Sequence, residues 1–219
     1  MENDEDERRD ELMIRKSKLI VTTDITKMKV IIEVSKSICK IKYSETVGTG
    51  FFMKVYKKDE PFYCLVSCEH VINEKMIDSG ETIEVLYNNE KYSLKINLCE
   101  NKRFVRNYRY LNIDATVIQI LDKDNIKKDL FLLPNYEYKN GYEQFENNEI
   151  YILQYPGGKE ISNAFGNITK INVCSYEFTH LGSTLPGSSG SPILLKQSKT
   201  VLGIHKQGNK KKMKIMEIL

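Results

Sequence analysis

Residues 186–195 read PGSSGSPILL, and this run holds the side chain with the greatest chemical reach in the chain. A serine set between Gly187 and Gly190 and followed by Pro192 can sit on a tight turn, its hydroxyl exposed and nearby backbone N–H groups aimed at one point. An acyl-transfer nucleophile needs that geometry. Glycine adopts backbone angles closed to other residues, so the loop can fold its amides inward, while Ile193, Leu194 and Leu195 predict the buried strand that anchors it. The competing reading is a Gly/Ser turn between two strands. A nucleophilic serine also requires a base within hydrogen-bond reach and a carboxylate that holds the base in one tautomer. The chain offers His70, His180 and His205. His70 follows an apolar run within LVSCEHVI, which puts its ring at the end of a strand and the edge of a core. Asp114, in NIDATVIQI, stands just before a run of apolar and β-branched residues. A carboxylate at that boundary is partly buried, which is unfavourable unless it is hydrogen-bonded, and an imidazole N–H is a suitable partner. Taken singly, each is equally a loop histidine or a strand-start aspartate.

The elements that must position these groups follow a period of two. Cys39, Ile41 and Tyr43 alternate with polar neighbours, VGTG predicts a turn into a strand over 51–56, and KKDEP predicts a second turn into 62–66. Residues 82–87 and 92–96 flank Asn88 and Asn89 as a hairpin, and a further strand covers 115–120. The polar stretch 121–148 carries Pro134 and Gly141 and predicts a connection between two halves. Strands resume at 150–155, 168–173, 192–195, 201–205 and 213–218. About six strands on each side of one long link predict an all-β chain built as two small barrels or a sandwich. The division is a charged extension over 1–27, a first half over 28–121, a linker over 122–148 and a second half over 149–219. Residues 1–20 predict an exposed helix, and Asp24 is placed to cap a short helix over 27–35, although Val30, Ile31 and Ile32 equally suit a strand.

Composition narrows the function. With 219 residues, 41% hydrophobic, the chain buries a substantial core. A formal charge of +3, from 33 basic and 30 acidic side chains, is too balanced to imply a nucleic-acid partner. The acidic run over 2–11 and the lysines at 206, 210, 211, 212 and 214 read as solvated surface. The opening MENDEDERRDELMIRK lacks an apolar core, so neither a signal peptide nor a membrane span is expected. Cys39, Cys64, Cys68, Cys99 and Cys174 are odd in number and irregular in spacing, which fits reduced thiols and predicts an intracellular, cytoplasmic protein. Cys64, Cys68 and His70 suggest a metal site only weakly, because no fourth ligand is in evidence and Cys64 falls in an apolar strand.

The order His, Asp, Ser in these surroundings resembles the trypsin-like, chymotrypsin-fold serine peptidases. The runs that carry the resemblance are GTGFF at 48–52, SCEHV at 67–71, DATVI at 114–118, PGSSGSP at 186–192 and VLGIH at 201–205. The resemblance implies two six-stranded antiparallel β-barrels with the active site in the cleft between them, preceded by a short N-terminal helical extension. It implies His70 as general base, Asp114 as its orienting partner and Ser189 as nucleophile, with the backbone N–H groups of Gly187 and Ser189 as oxyanion hole. Ser188 is the neighbouring alternative, and the family's glycine-x-serine-glycine register selects Ser189. An α/β-hydrolase elbow is excluded because Ser191 stands where its second glycine belongs, and no aspartate follows Ser189. Ser188 also replaces the aspartate that zymogen-activated members pair with a newly cut N-terminus.

His205 follows Ser189 by sixteen residues, and Thr184 precedes it by five. That pairing is similar to the glutamyl endopeptidases and the picornaviral processing proteases, which hold a Glu or Gln carbonyl oxygen between a histidine and a threonine. It implies a preference for Glu or Gln before the scissile bond, since an imidazole and a hydroxyl donate to such an oxygen and a site so built rejects side chains lacking it. The substrate would lie as an added strand against Lys206 to Gly208. The expected partner is a polypeptide substrate, with no metal, organic cofactor, nucleic acid or membrane. A catalytically silent, peptide-binding module of the same fold is the alternative, and the complete triad argues against it.

Overall fold

Antiparallel strands joined by turns form the framework of the protein in a computed structural model that describes residues 25–111, 113–137, 141–196, 200–206 and 212–215. The chain divides into two units, Met1–Ile32 and Glu33–Leu219. The first is described only from Ile25, so the expected helix over 1–20 and the Asp24 cap lie outside the described residues. Helix α1 (Ile25–Ser35) settles the ambiguous β-branched run as helix, with Met28 and Ile32 exposed. Within the second unit Val34 is buried, and Ser35 donates from its hydroxyl to Asn89 at 3.0 Å.

Strands β1 (Ile38–Tyr43), β2 (Thr46–Lys57), β3 (Glu60–Ser67), β4 (Thr82–Tyr87), β5 (Tyr92–Asn97), β6 (Val105–Asn107) and β7 (Thr116–Gln119) form one antiparallel sheet in the order β5-β4-β1-β2-β3-β7-β6. Lys58 and Asp59, both in the left-handed region, close the two-residue turn between β2 and β3. The apolar positions of the alternation, among them Ile41, Phe51, Met53, Leu65, Ile83 and Ile96, fill the core of this sheet. Helix α2 (Glu74–Asp78) follows β3 and is capped by the Asn73 side chain, which accepts from the Met76 amide at 3.1 Å.

The second sheet closes on itself. Strands β8 (Glu149–Gln154), β9 (Ser162–Asn172), β10 (Glu177–His180), β11 (Pro192–Leu195), β12 (Val201–His205) and β13 (Lys212–Ile215) form a six-stranded barrel in the order β10-β13-β12-β11-β8-β9. Its core is Phe145, Ile150, Ile152, Ile168, Phe178, Ile193, Leu195 and Leu202.

This is the expected all-β double-barrel architecture, with particular differences. The first sheet has seven strands, not six, because the three-residue β6 joins β7. VGTG is not a turn: Gly48, Thr49 and Gly50 lie inside β2, and the turn falls earlier, at Ser44 and Glu45. Glycine serves close approach here, since a Cβ on Gly48 would come within 2.4 Å of Val71 and one on Gly50 within 2.9 Å of the Val66 carbonyl. The 121–148 stretch also holds the two sheets together. Leu132 exchanges backbone hydrogen bonds with Phe52 and Lys54 of β2, while Val201 of β12 donates to Leu133 and accepts from Asn135.

Candidate active site

His70 owes its position to the way β3 ends. After Ser67 the chain folds into a single turn in which the Val71 and Ile72 amides both donate to the Cys68 carbonyl. Val71 and Ile72 are buried, and the Thr116 hydroxyl donates to the Ile72 carbonyl at 2.7 Å, fixing the turn to β7. His70 is left exposed at its apex. Asp114 enters from the other side, two residues before β7. Its Oδ1 accepts from the His70 amide at 3.1 Å and its Oδ2 lies 2.7 Å from His70 Nδ1. Burial acts to raise the Asp114 carboxyl, but the hydrogen bonds and charge of His70, with the charge of Lys206, outweigh it and hold the group below its ordinary value. Asp114 is therefore an acceptor only, which requires the proton on His70 Nδ1 and, in the neutral imidazole, leaves the lone pair on Nε2.

The serine loop is fixed by its carbonyls. The Pro186 carbonyl accepts from the Gly157 amide, the Gly187 carbonyl from the Thr49 hydroxyl at 2.7 Å, and the Ser188 carbonyl from the Ser191 amide at 3.1 Å. In a planar trans peptide the N–H points opposite to the C=O. Tying the Pro186 and Ser188 carbonyls therefore sets the directions of the Gly187 and Ser189 N–H groups. Among the described residues neither of these amides donates a hydrogen bond, whereas those of Ser188, Gly190 and Ser191 all do. Gly187 and Gly190 have φ of +90° and +89°, where a side chain is strained. Space forbids one as well, since a Cβ on Gly190 would stand 1.9 Å from the Thr49 carbonyl oxygen.

The two serines differ in use. Ser188 is fully buried and its Oγ accepts from the Leu185 amide at 3.2 Å, a structural role within the loop. The Ser189 carbonyl accepts from the Thr49 amide at 2.8 Å, and among the described residues its hydroxyl has no hydrogen-bond partner.

One carbonyl oxygen joins the two halves of the site. His205 O accepts from Gly190 N at 2.9 Å and from Cys68 Sγ at 3.2 Å. Gly190 follows Ser189, and Cys68 precedes His70 by two residues, so the serine turn and the histidine turn hang from the same atom.

The His205 ring is buried with its Nδ1 unbonded, and burial, with the nearby His180 and His70, lowers its pKa to about 3. Its ring is packed edge-on to that of His180 at 5.6 Å. His180 Nδ1 accepts from the Gly182 amide at 2.8 Å, so its proton sits on Nε2. Thr184 is half-buried on the loop between β10 and the serine turn, and no described hydrogen bond joins it to His205. Lys206 directly follows β12, and Gly208 lies outside the described residues.

Two contributions escaped the sequence reading. Thr49 is the clamp between the sheets: besides the bonds to Gly187 and Ser189, its hydroxyl accepts from Tyr155 N at 3.1 Å and its carbonyl from the Ser67 hydroxyl at 2.7 Å. The paired glycines around it were the available signal. Cys68 is a strut and not a partner of Cys64, whose thiol donates to the Met53 carbonyl within the first sheet. The described residues do bring ligand atoms of Cys68, His70 and Asp114 within 4.8 Å of one another. All three are already engaged in hydrogen bonds, and burial holds the Cys68 thiol well above its ordinary pKa.

A family model described as trypsin-like peptidase domain matches residues 48–204, the span from the Thr49 clamp to β12. The chain belongs to the trypsin-like peptidase family. This peptidase is accordingly a serine-type hydrolase that acts on polypeptides. No curated protein matches its sequence. Among solved structures it is similar to an inactive form of Rv3671c from M. tuberculosis, at 15% identity over 85% of this chain and 83% of that one, TM-score 0.56. It is also similar to a serine endoprotease from Yersinia pestis, at 14% identity over 86% and 61%, TM-score 0.62. A third is Deg5, at 15% over 86% and 87%, TM-score 0.63. At these identities the likeness is one of fold. No helix among the described residues is long and apolar enough to cross a membrane.

Proposed function

We propose that this serine endopeptidase works through His70, Asp114 and Ser189 and cleaves after Glu or Gln. His70 Nε2 takes the Ser189 proton as the hydroxyl oxygen attacks the peptide carbonyl, and Asp114 steadies the imidazolium across the 2.7 Å contact. The C–N bond breaks as His70 returns the proton to the leaving amine. Water, deprotonated by the same imidazole, then releases the acyl group from Ser189. The Gly187 and Ser189 N–H groups receive the oxyanion, having no other acceptor among the described residues. The observation that carries this reading is the His205 carbonyl shared by Cys68 and Gly190, which couples the base and nucleophile turns.

In the same reading His205, neutral through the physiological range, and Thr184 hold the side-chain oxygen of the residue before the cleaved bond, with His180 packed behind. Lys206 and Gly208 provide the edge for the substrate backbone. The five free cysteines fit a reducing, intracellular compartment. A peptide library read by mass spectrometry tests the proposal. Cuts concentrated after Glu or Gln support it, and equal cleavage after Glu, Lys and Leu would remove the role given to His205.

A further inference from the structure

Outside these residues, a groove of about 740 Å³ runs along β6, the last strand of the first sheet. Gln119 N donates to Phe104 O, and Tyr108 N donates to Ala115 O. In an antiparallel ladder bonded pairs alternate with unbonded ones, so Arg106 faces Val117 as the bonded pair between them. The N–H and C=O groups of Val105 and Asn107 therefore point away from β7, along the open edge. No described backbone group bonds to them there. An edge of this kind is a template for another strand.

The charges of the groove are unevenly matched. Its cations have partners: Arg103 is held by both oxygens of Asp124, Arg106 lies over the Tyr110 ring at 5.7 Å, and Arg109 is 3.6 Å from Glu69. Glu74, Asp78 and Glu100 line the same groove and are exposed, and among the described residues none of the three is in an ion pair. Glu74 and Asp78 are four residues apart on α2, about 6 Å along a helix axis. Alternate residues of a β-strand are about 6.6 Å apart, a spacing close to that of these two carboxylates.

We propose that this groove docks an extended segment of a partner polypeptide in which basic residues alternate with apolar ones. Its backbone bonds to Val105 and Asn107 as an eighth strand, and its basic side chains meet Glu74, Asp78 and Glu100. The apolar positions fall on the opposite face, where exposed Phe104 and Tyr110 receive them and Arg106 discourages a second positive charge.

The test is fluorescence anisotropy with the folded Ser189→Ala chain and labelled peptides of about ten residues, one alternating Lys with Val and one alternating Glu with Val. The Lys peptide is expected to bind saturably, with the Glu peptide and the Glu74→Lys/Asp78→Lys/Glu100→Lys variant weaker by about tenfold or more. N-methylating the Lys peptide at alternate amides, which leaves the protein untouched, is expected to abolish binding through the edge. Wild type blocked at its nucleophile with a fluorophosphonate should bind as before, which separates the groove from the catalytic cleft. Absence of binding, indifference to charge reversal or to N-methylation, or loss of binding on blocking would each overturn the proposal.

Discussion

The Thr49 amide donates to the Ser189 carbonyl at 2.8 Å, so the central strand of the first sheet and the serine turn of the second form one hydrogen-bonded unit. The Thr49 hydroxyl extends it, donating to Gly187 and accepting from Tyr155. Thr49→Val keeps the shape and removes the hydroxyl, leaving the buried Tyr155 amide without its acceptor. A loss of about 1–3 kcal/mol is expected in urea unfolding, with kcat falling about tenfold or more as the Gly187 peptide is freed. Unchanged kcat and unchanged stability together would show that the clamp does not set the loop.

Gly190→Ala meets two obstacles at once, a φ of +89° and a Cβ 1.9 Å from the Thr49 carbonyl oxygen. That neighbour is backbone, and the Ser67 hydroxyl beside it is held by its own hydrogen bond to the same oxygen. The variant is expected to lose about 3 kcal/mol or more, or to keep its fold only by moving the serine turn and abolishing turnover. Wild-type melting and turnover in the purified variant would contradict the observed packing.

The buried His205 gives the protein a pH dependence of definite sign. The unfolded imidazole takes up a proton near pH 6.5, and the folded one only at about pH 3. Between these values the unfolded state binds the extra proton. Stability therefore falls as pH drops through this window, by on the order of 1 kcal/mol per pH unit. His205→Gln is expected to flatten that slope in unfolding curves from pH 6.5 to 4.5. Asp114, whose folded pKa is depressed below 3.8, acts in the same sense at lower pH: its contribution is present above the unfolded value and is lost as pH falls through the folded one. Equal slopes in wild type and His205→Gln would refute the assignment.

How far the sequence foretold this can be seen residue by residue. Period-two runs such as 82–87 and 92–96 became strands because one face of each is buried against the core, which is what alternation encodes. β6 and β10 were missed because three or four residues carry too little periodicity. VGTG was misread because glycine serves turns and close approach alike, and only the neighbour tells which. His70 and Asp114 were legible because each ends or begins an apolar run, and they meet at 2.7 Å. Thr49 was not, since its hydroxyl partners lie 106 and 138 residues away and no local pattern marks so distant a bond.

We propose Ser189 as the nucleophile and His70 as the base that activates it. Labelling with a fluorophosphonate, followed by peptide mapping, tests this pairing, since an activated serine displaces the fluoride and is phosphonylated. A single adduct is expected on Ser189 of the folded wild type, none on Ser189→Ala, and labelling of His70→Ala slower by roughly four orders of magnitude. No adduct on the folded wild type, equal labelling of Ser189→Ala, or an adduct on Ser188 would contradict it.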